Sequence, residues 1–378
     1  MDRSGVRRVV KGAAAGLIHY SGLRKAMSSV RRSQAGGRRV MIAGYHRVVE
    51  DFTAEVQRSI PGTLISKDTL RRHLEDAHAL GYDFASLADA VDVIAGRRAA
   101  KKDLFVVTFD DGYREVYEHA YPILKAMGVP SIIYLPTDFI GTKKRFNHDR
   151  LFHLIQTATT RRFKPLYEAM TPAAAVLLGP IFAGQKTTAA ALDDFLGLYP
   201  TQTLTEIIDG LEAQLGGGAE LTPALGEVSS WDEIRTMARN GVNFGAHTLG
   251  HCVLTLEPEA EVDRQISESK RIIEHELSQP CVDFAYCNGW YSEEIVRALV
   301  RHGFRSGVTT EDLLNRRGGD PFTLKRKILW ENFSLGMTGR YSSPLTGCHI
   351  DDVFGLLNLH HPVLGKRPQT VRASPGGP

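Results

Sequence analysis

The chain has 378 residues, 43% apolar and 24% charged, with a formal net charge of +3, which bounds it to one large soluble globular domain or two small ones. A core of useful size can be buried at this length, and neither a disordered nor a fibrous composition is present. The four cysteines, Cys252, Cys281, Cys287 and Cys348, lack CxxC or zinc-ribbon spacing and are too few for a disulfide framework, so free thiols are expected.

Residues 1–38 form a basic leader. Arg3, Arg7, Arg8, Lys11, Arg24, Lys25, Arg31, Arg32, Arg38 and Arg39 in the first forty positions face a single acid, Asp2. Such a leader suits an anionic partner such as a membrane surface, or a solvated and partly disordered tail. No segment approaches the roughly 18 apolar residues of a spanning helix. Val9 to Leu23 is too short and polar to span, lacks a convincing signal-peptide cleavage pattern, and fits an amphipathic interfacial helix instead. The expected location is cytoplasmic or peripheral at the membrane, with export left open.

Val40 to Tyr45 (VMIAGY) reads as a buried strand followed by His46. Lys67 to Leu80 has helical spacing ended by Gly81, and Leu87 to Ile94 is a second short helix. Leu104 to Phe109 (LFVVTF) is a β-prone run ending at Asp110-Asp111-Gly112. Tyr113 to Met127 then predicts a helix and Val129 to Leu135 a strand, the pattern of a parallel βαβ unit. From about 143 to 226 strand signals vanish and helical ones dominate, which predicts a helical insertion in one connection of an α/β domain spanning 39–335. The α/β rhythm resumes with a helix over Trp231 to Arg239, N-capped by Ser230, and a strand over Gly241 to Ala246. It continues with a helix over Ala260 to Leu277, a strand over Val282 to Tyr286, a helix over Ser292 to His302 and a strand over Arg305 to Val308. Phe322 to Leu329 is a further candidate strand. Residues 336–378 read as a C-terminal extension with a disordered end.

Three of these strands end in unusual polar residues: Asp110-Asp111, His247, and Cys287-Asn288-Gly289. Ligands of parallel α/β folds bind at the carboxyl ends of strands, so the three clusters point to one site. Adjacent carboxylates repel one another unless a cation is close. His247-Thr248-Leu249-Gly250-His251 spaces two imidazoles four residues apart, as on one side of a helical turn, and neutral nitrogen ligands suit zinc. Thr248 stands where a zinc protease has its glutamate, so that chemistry is excluded. Two histidines and one carboxylate would supply three protein ligands and leave a fourth position open, as catalytic metals require. The second carboxylate is then free to accept a proton from water.

On these motifs the sequence resembles the polysaccharide deacetylase family with the NodB homology domain (carbohydrate esterase family 4-like), from about Val40 to Leu329. Thr108-Phe109-Asp110-Asp111-Gly112-Tyr113 matches its first motif and His247-Thr248-Leu249-Gly250-His251 its second. The resemblance implies a distorted, incomplete (β/α)7-type barrel. It also implies Asp110 as base, and Asp111, His247 and His251 as ligands of a divalent metal, with Zn2+ the expected ion. The third motif departs: where the family has Arg-x-Pro-aromatic-Gly, this chain has Ala285-Tyr286-Cys287-Asn288-Gly289, so the arginine that braces the base is missing. The Asn288 backbone amide can still serve an oxyanion. For the general acid, His46 and Leu359-His360 are both open, with His46 also readable as a supporting residue. Tyr286, Trp290 and Tyr291 are candidates to stack on sugar rings, whereas Trp231, inside a helix, suits the core. The implied activity is removal of N-acetyl groups from an amino-sugar polysaccharide or oligosaccharide, with no nucleic-acid partner. The alternatives are a deacetylase or deformylase of a lipid-linked sugar, and a non-catalytic carbohydrate-binding relic.

Overall fold

The computed structural model describes residues 3–34, 36–160, 172–214 and 226–356. Seven parallel strands form a curled half-barrel: β1 (Val40–Tyr45), β2 (Leu104–Phe109), β3 (Ser131–Leu135), β4 (Asn243–Ala246), β5 (Asp283–Ala285), β6 (Ser306–Val308) and β7 (Lys327–Ile328). Their spatial order is β7-β1-β2-β3-β4-β5-β6, with a further short strand, Asp83–Phe84, beside β2. β1 and β2 run in register from Val40–Leu104 to Tyr45–Phe109. Every residue of β1, β2 and β3 is buried, because helices cover the outer face and side chains fill the inner one. The expected incomplete α/β barrel is therefore the observed fold.

The connecting helices start on side-chain caps. Ser66, Ser86 and Ser292 each accept from a backbone N–H of the following first turn, and Ser230 forms a full capping box with Glu233. Tyr113 to Met127 is not one regular helix as expected. It is a π-turn over Val116–Ala120 followed by an α-helix over Tyr121–Met127. Pro122 offers no N–H to a regular α ladder, which accounts for the local widening. Between β3 and β4 lie helices Asn147–Thr160, Pro172–Phe182, Thr188–Leu196 and Thr201–Gln214. They share an apolar cluster that includes Leu151, Ile155, Leu177, Leu192 and Ile208.

The segment predicted as one strand over Phe322 to Leu329 is a 3-10 turn at Pro321–Thr323 leading into two-residue β7. It touches both ends of the sheet. The Leu324 N–H donates to Gly307 O and the Leu324 carbonyl accepts from Thr309 N–H, while β7 pairs with Ala43 and Gly44 of β1. Residue 326 is thus carried between the two ends of the curled sheet.

The leader forms two helices, Arg3–Tyr20 and Leu23–Gln34. Ala15 and Ile18 of the first join Leu345, Cys348, Val353 and Phe354 of the C-terminal region in one apolar cluster. Part of the leader's charge is consumed internally. Arg24 pairs with Asp351 and Arg31 with Asp352. Asp103 takes Arg32 at 2.8 Å and Arg39 at 2.7 Å, and Arg39 also reaches Asp351 at 3.1 Å. The tail containing His360 lies outside the described residues. All four cysteines are free and buried. Among the described residues, no helix is long and apolar enough to cross a membrane.

Candidate active site

β2 delivers two carboxylates into the mouth of the half-barrel. The Asp110 N–H donates to Tyr45 O at 2.9 Å, continuing the β1–β2 ladder one residue beyond the strand. Asp111 then turns sharply, with φ of 71°, a left-handed conformation rare for a residue with a Cβ. Both are buried, 2% and 1% exposed.

Asp110 is gripped by Arg326. The guanidinium donates through Nη1 to Oδ1 and through Nη2 to Oδ2, each at 2.7 Å. Its Nε donates to Thr309 O at 2.9 Å, and Nη1 also reaches Thr108 Oγ1 at 3.3 Å. The Tyr134 ring lies 5.6 Å from the guanidinium carbon. Burial would raise the Asp110 pKa, but the Arg326 charge, with His247 and His46, outweighs it and holds the carboxyl below its usual range. This is the brace missing from the third motif. β5 places Ala285 there, and the arginine arrives instead on the segment before β7. Its sequence signal was a lone arginine inside the β-prone run Phe322 to Leu329.

Asp111 faces the histidines. Its Oδ1 lies 3.1 Å from His251 Nε2 and 3.5 Å from His247 Nε2. The same Oδ1 is buried without a hydrogen-bond partner. Burial opposes ionisation of Asp111, yet the charges of His251 and His247 push its pKa well below the ordinary value. His247 directly follows β4, where its N–H donates to Leu135 O at 3.0 Å. Its Nδ1 donates to Ala285 O at 2.8 Å, which orients the ring so that Nε2 faces Asp111. Two imidazole nitrogens and a buried, unpartnered carboxylate oxygen suit a zinc-like cation. Tetrahedral ligands at about 2.0–2.1 Å stand roughly 3.3 Å apart, close to the observed spacings.

The two histidines are not on a helical turn. Residues 247–251 form an irregular loop in which Thr248 (φ 66°) and His251 (φ 52°) are left-handed, which still brings the rings to 5.0 Å. Gln265 Oε1 accepts from Leu249 N–H at 2.8 Å and Gly250 N–H at 3.0 Å, and Thr248 Oγ1 accepts from Cys252 N–H at 3.1 Å. These side chains hold the loop in place of a helical ladder.

Cys287 occupies the proline position of the third motif. Among the described residues, His247, His251 and Cys287 offer potential ligand atoms within 4.8 Å of one another. Cys287 Sγ, however, lies 3.8 Å from His247 Nδ1 and 3.9 Å from Nε2. A sulfur nearly equidistant from both ring nitrogens packs beside the ring rather than in line with the Nε2 lone pair. Asn288 is left-handed (φ 56°) and exposed, and its carbonyl accepts from Thr310 Oγ1 at 3.1 Å. Gly289 is obligatory there: a Cβ would stand 2.2 Å from Thr310 Oγ1.

His46, just past β1, puts Nε2 3.9 Å from Asp110 Oδ2, and its buried Nδ1 has no hydrogen-bond partner. Burial lowers its pKa against the pull of Asp111 and Asp110. A further group was not read from the sequence. Tyr113 OH donates to Asp149 Oδ2 at 2.8 Å and meets His148 Nε2 at 2.9 Å, and the His148 ring stands edge-on to His251 at 5.1 Å. His148 and Asp149 sit in the first turn of the helix Asn147–Thr160, away from the strand-end motifs, so no motif marked them.

The three aromatic candidates separate. Tyr286 is 1% exposed and its hydroxyl donates to Phe322 O at 2.9 Å, leaving no open face for a sugar. Trp290 and Tyr291 are partly exposed. Tyr291 lies against Tyr286, with centroids 5.3 Å apart, and Trp290 lies over Gly197 of the inserted helices, where a Cβ would come within 2.8 Å of the ring.

A parallel half-barrel with paired carboxylates and paired imidazoles at its mouth defines a deacetylase-type fold. The polysaccharide deacetylase family model matches residues 97–307, more than half of the chain, and the protein belongs to that family. YxkH of Bacillus subtilis (strain 168), whose name places it among polysaccharide deacetylases, is 20% identical over 277 residues, covering 73% of this chain and 70% of that protein. Two solved structures share the fold. IcaB from Ammonifex degensii is 18% identical with a TM-score of 0.53, covering 83% of this chain and 98% of that one. The Streptococcus pyogenes deacetylase PplD, solved in complex with acetate, is 16% identical with a TM-score of 0.51, covering 80% and 96%.

Proposed function

We propose that the protein hydrolyses N-acetyl groups on an amino-sugar-containing polysaccharide or oligosaccharide, with a divalent metal, zinc by donor chemistry, held by Asp111, His247 and His251. The observation that carries this reading is the buried, unpartnered Asp111 Oδ1 between two imidazole nitrogens, beside an Asp110 carboxylate clamped by Arg326. When bound, the cation would supply Lewis acidity to the acyl oxygen and acidify a water.

The chain's own groups account for the rest. Asp110, kept ionised by Arg326, accepts a proton from the attacking water, whose oxygen bonds to the carbonyl carbon. The Asn288 amide donates to the developing oxyanion. His46, whose Nε2 lies 3.9 Å from Asp110 Oδ2, passes that proton on from Asp110 to the departing nitrogen as the C–N bond breaks. The products are acetate and a free amine. Trp290 and Tyr291 supply faces for the sugar ring, whereas Tyr286 supports Tyr291 from below.

The decisive experiment pairs metal analysis with acetate release from acetylated glucosamine oligomers. Asp110→Asn is expected to keep its metal and lose activity by at least about 10²-fold. An Asp110→Asn protein that retained full activity would overturn the assignment. A non-catalytic relic is disfavoured because Arg326 restores the brace that the altered third motif lacks. A second reading keeps this chemistry on a lipid-linked acetylated or formylated sugar. It is favoured by the outward-facing Leu17 and Tyr20 of the leader, 71% and 81% exposed, and assay of lipid-linked acceptors beside the soluble oligomers separates the two.

A further inference from the structure

Ten large apolar side chains stand exposed among the described residues, and five of them fall between positions 10 and 30. Val10, Leu17, Tyr20, Leu23 and Val30 are 60, 71, 81, 52 and 49% exposed. On the helix Arg3–Tyr20, Val10, Ala13, Leu17 and Tyr20 recur at three- and four-residue intervals and so share one face. The opposite face is the one used for packing. Gly12 abuts Met337, and Ala15 and Ile18 are buried in the cluster shared with the C-terminal region. This helix therefore has two apolar faces, one satisfied by the protein and one turned to water.

The charge written in the leader's own sequence is nearly all of one sign. Arg24, Arg31, Arg32 and Arg39 are spent on Asp351, Asp352 and Asp103. Lys25 and Arg38 are exposed, and Arg3, Arg7 and Arg8 add three more cations to the same stretch of sequence, where Asp2 is the sole acid. We infer that the leader is a membrane-docking surface, on which the Val10–Ala13–Leu17–Tyr20 face and Leu23 enter the interface of an anionic lipid bilayer while basic side chains meet its headgroups. A second copy of the chain fits less well. Two such leaders would bring like charges together, and a stripe of this size falls far short of the roughly 20–30 residues a side of a stable interface. The ion pairs of the second helix and the apolar packing of Ala15 and Ile18 on the first fix the leader to the rest of the chain, so docking would hold the whole protein at the surface rather than tether it through a loose tail. The inference does not depend on the reaction the site performs.

The test is co-sedimentation of the full chain with vesicles of phosphatidylcholine alone and of phosphatidylcholine with phosphatidylglycerol. Binding to the anionic vesicles alone is expected, weakened at least about threefold when salt is raised from about 0.1 to 0.5 M. Leu17→Glu/Tyr20→Glu should lower partitioning at least about tenfold, because it places two charges in the buried face. Lys25→Glu/Arg38→Glu should lower it only on anionic vesicles. Both variants should keep the wild-type midpoint in urea unfolding, which shows that they are folded. Failure of the wild type to bind anionic vesicles would overturn the inference. So would unchanged binding of Leu17→Glu/Tyr20→Glu, or a solution dimer that this variant dissolves without any vesicle binding by the wild type.

Discussion

Arg326 and Asp110 meet in a two-pronged ion pair with both N–O distances at 2.7 Å, and the arginine side chain is fully buried. They are 216 residues apart in sequence. A charge pair this deep is favourable only when its remaining polar atoms are satisfied, and Arg326 also meets Thr309 O and Thr108 Oγ1.

Removing one partner should therefore cost more than removing both. Arg326→Met leaves a buried, unpaired carboxylate and is expected to destabilise the fold by about 3–5 kcal/mol. Asp110→Asn/Arg326→Met should recover much of that loss in urea unfolding while remaining inactive. Arg326→Met unfolding at the wild-type midpoint would remove the pair from any structural role.

Metal loading should track Asp111, His247 and His251. Single alanine variants of these three are expected to bind zinc far more weakly than the wild type, whereas Cys287→Ala should retain full stoichiometry, because its sulfur lies beside the His247 ring. The cobalt-substituted protein should correspondingly lack a sulfur-to-metal charge-transfer band. Chelation should lower the unfolding free energy by about 2.7 kcal/mol relative to protein held at 100 times the metal Kd.

His73 makes a prediction about acid stability. It is fully buried between Tyr45 OH, 3.2 Å from Nδ1, and Ser334 Oγ, and burial pushes its pKa down to about 3. Between the unfolded value near 6.5 and about 3, the unfolded chain carries a proton that the folded chain does not. Stability from this group is complete above pH 6.5 and falls as pH drops, by about 2 kcal/mol between pH 6.5 and 5. In urea titrations at pH 7 and 5, His73→Gln should show a smaller difference between the two pH values than the wild type.

The aromatic residues should divide by readout. Tyr286→Phe removes a buried hydroxyl that donates to Phe322 O and should cost about 0.5–1.5 kcal/mol of stability with KM unchanged. Trp290→Ala should raise KM on acetylated oligomers several-fold with a smaller effect on kcat. A raised KM in Tyr286→Phe with unchanged stability would reverse these assignments.

What the sequence determined by itself was the local chemistry at strand ends. Asp110 and Asp111 follow a six-residue β-prone run, and His247 follows another short strand, so parallel packing alone was enough to bring them to one mouth of the barrel. The Ser230 cap and the βαβ rhythm were legible for the same reason: each depends on neighbours in the chain. The tertiary structure decided whatever depends on residues far apart. It replaced the arginine absent at Ala285 by Arg326, because the segment before β7 bonds to both ends of the sheet and aims that side chain inward. It set His247 and His251 on a loop rather than a helical turn, because Gln265 from the next helix captures the loop amides. It also turned part of the leader's positive charge into internal ion pairs with Asp103, Asp351 and Asp352, since the sign of a charge is written in the sequence but its partner is chosen by the fold.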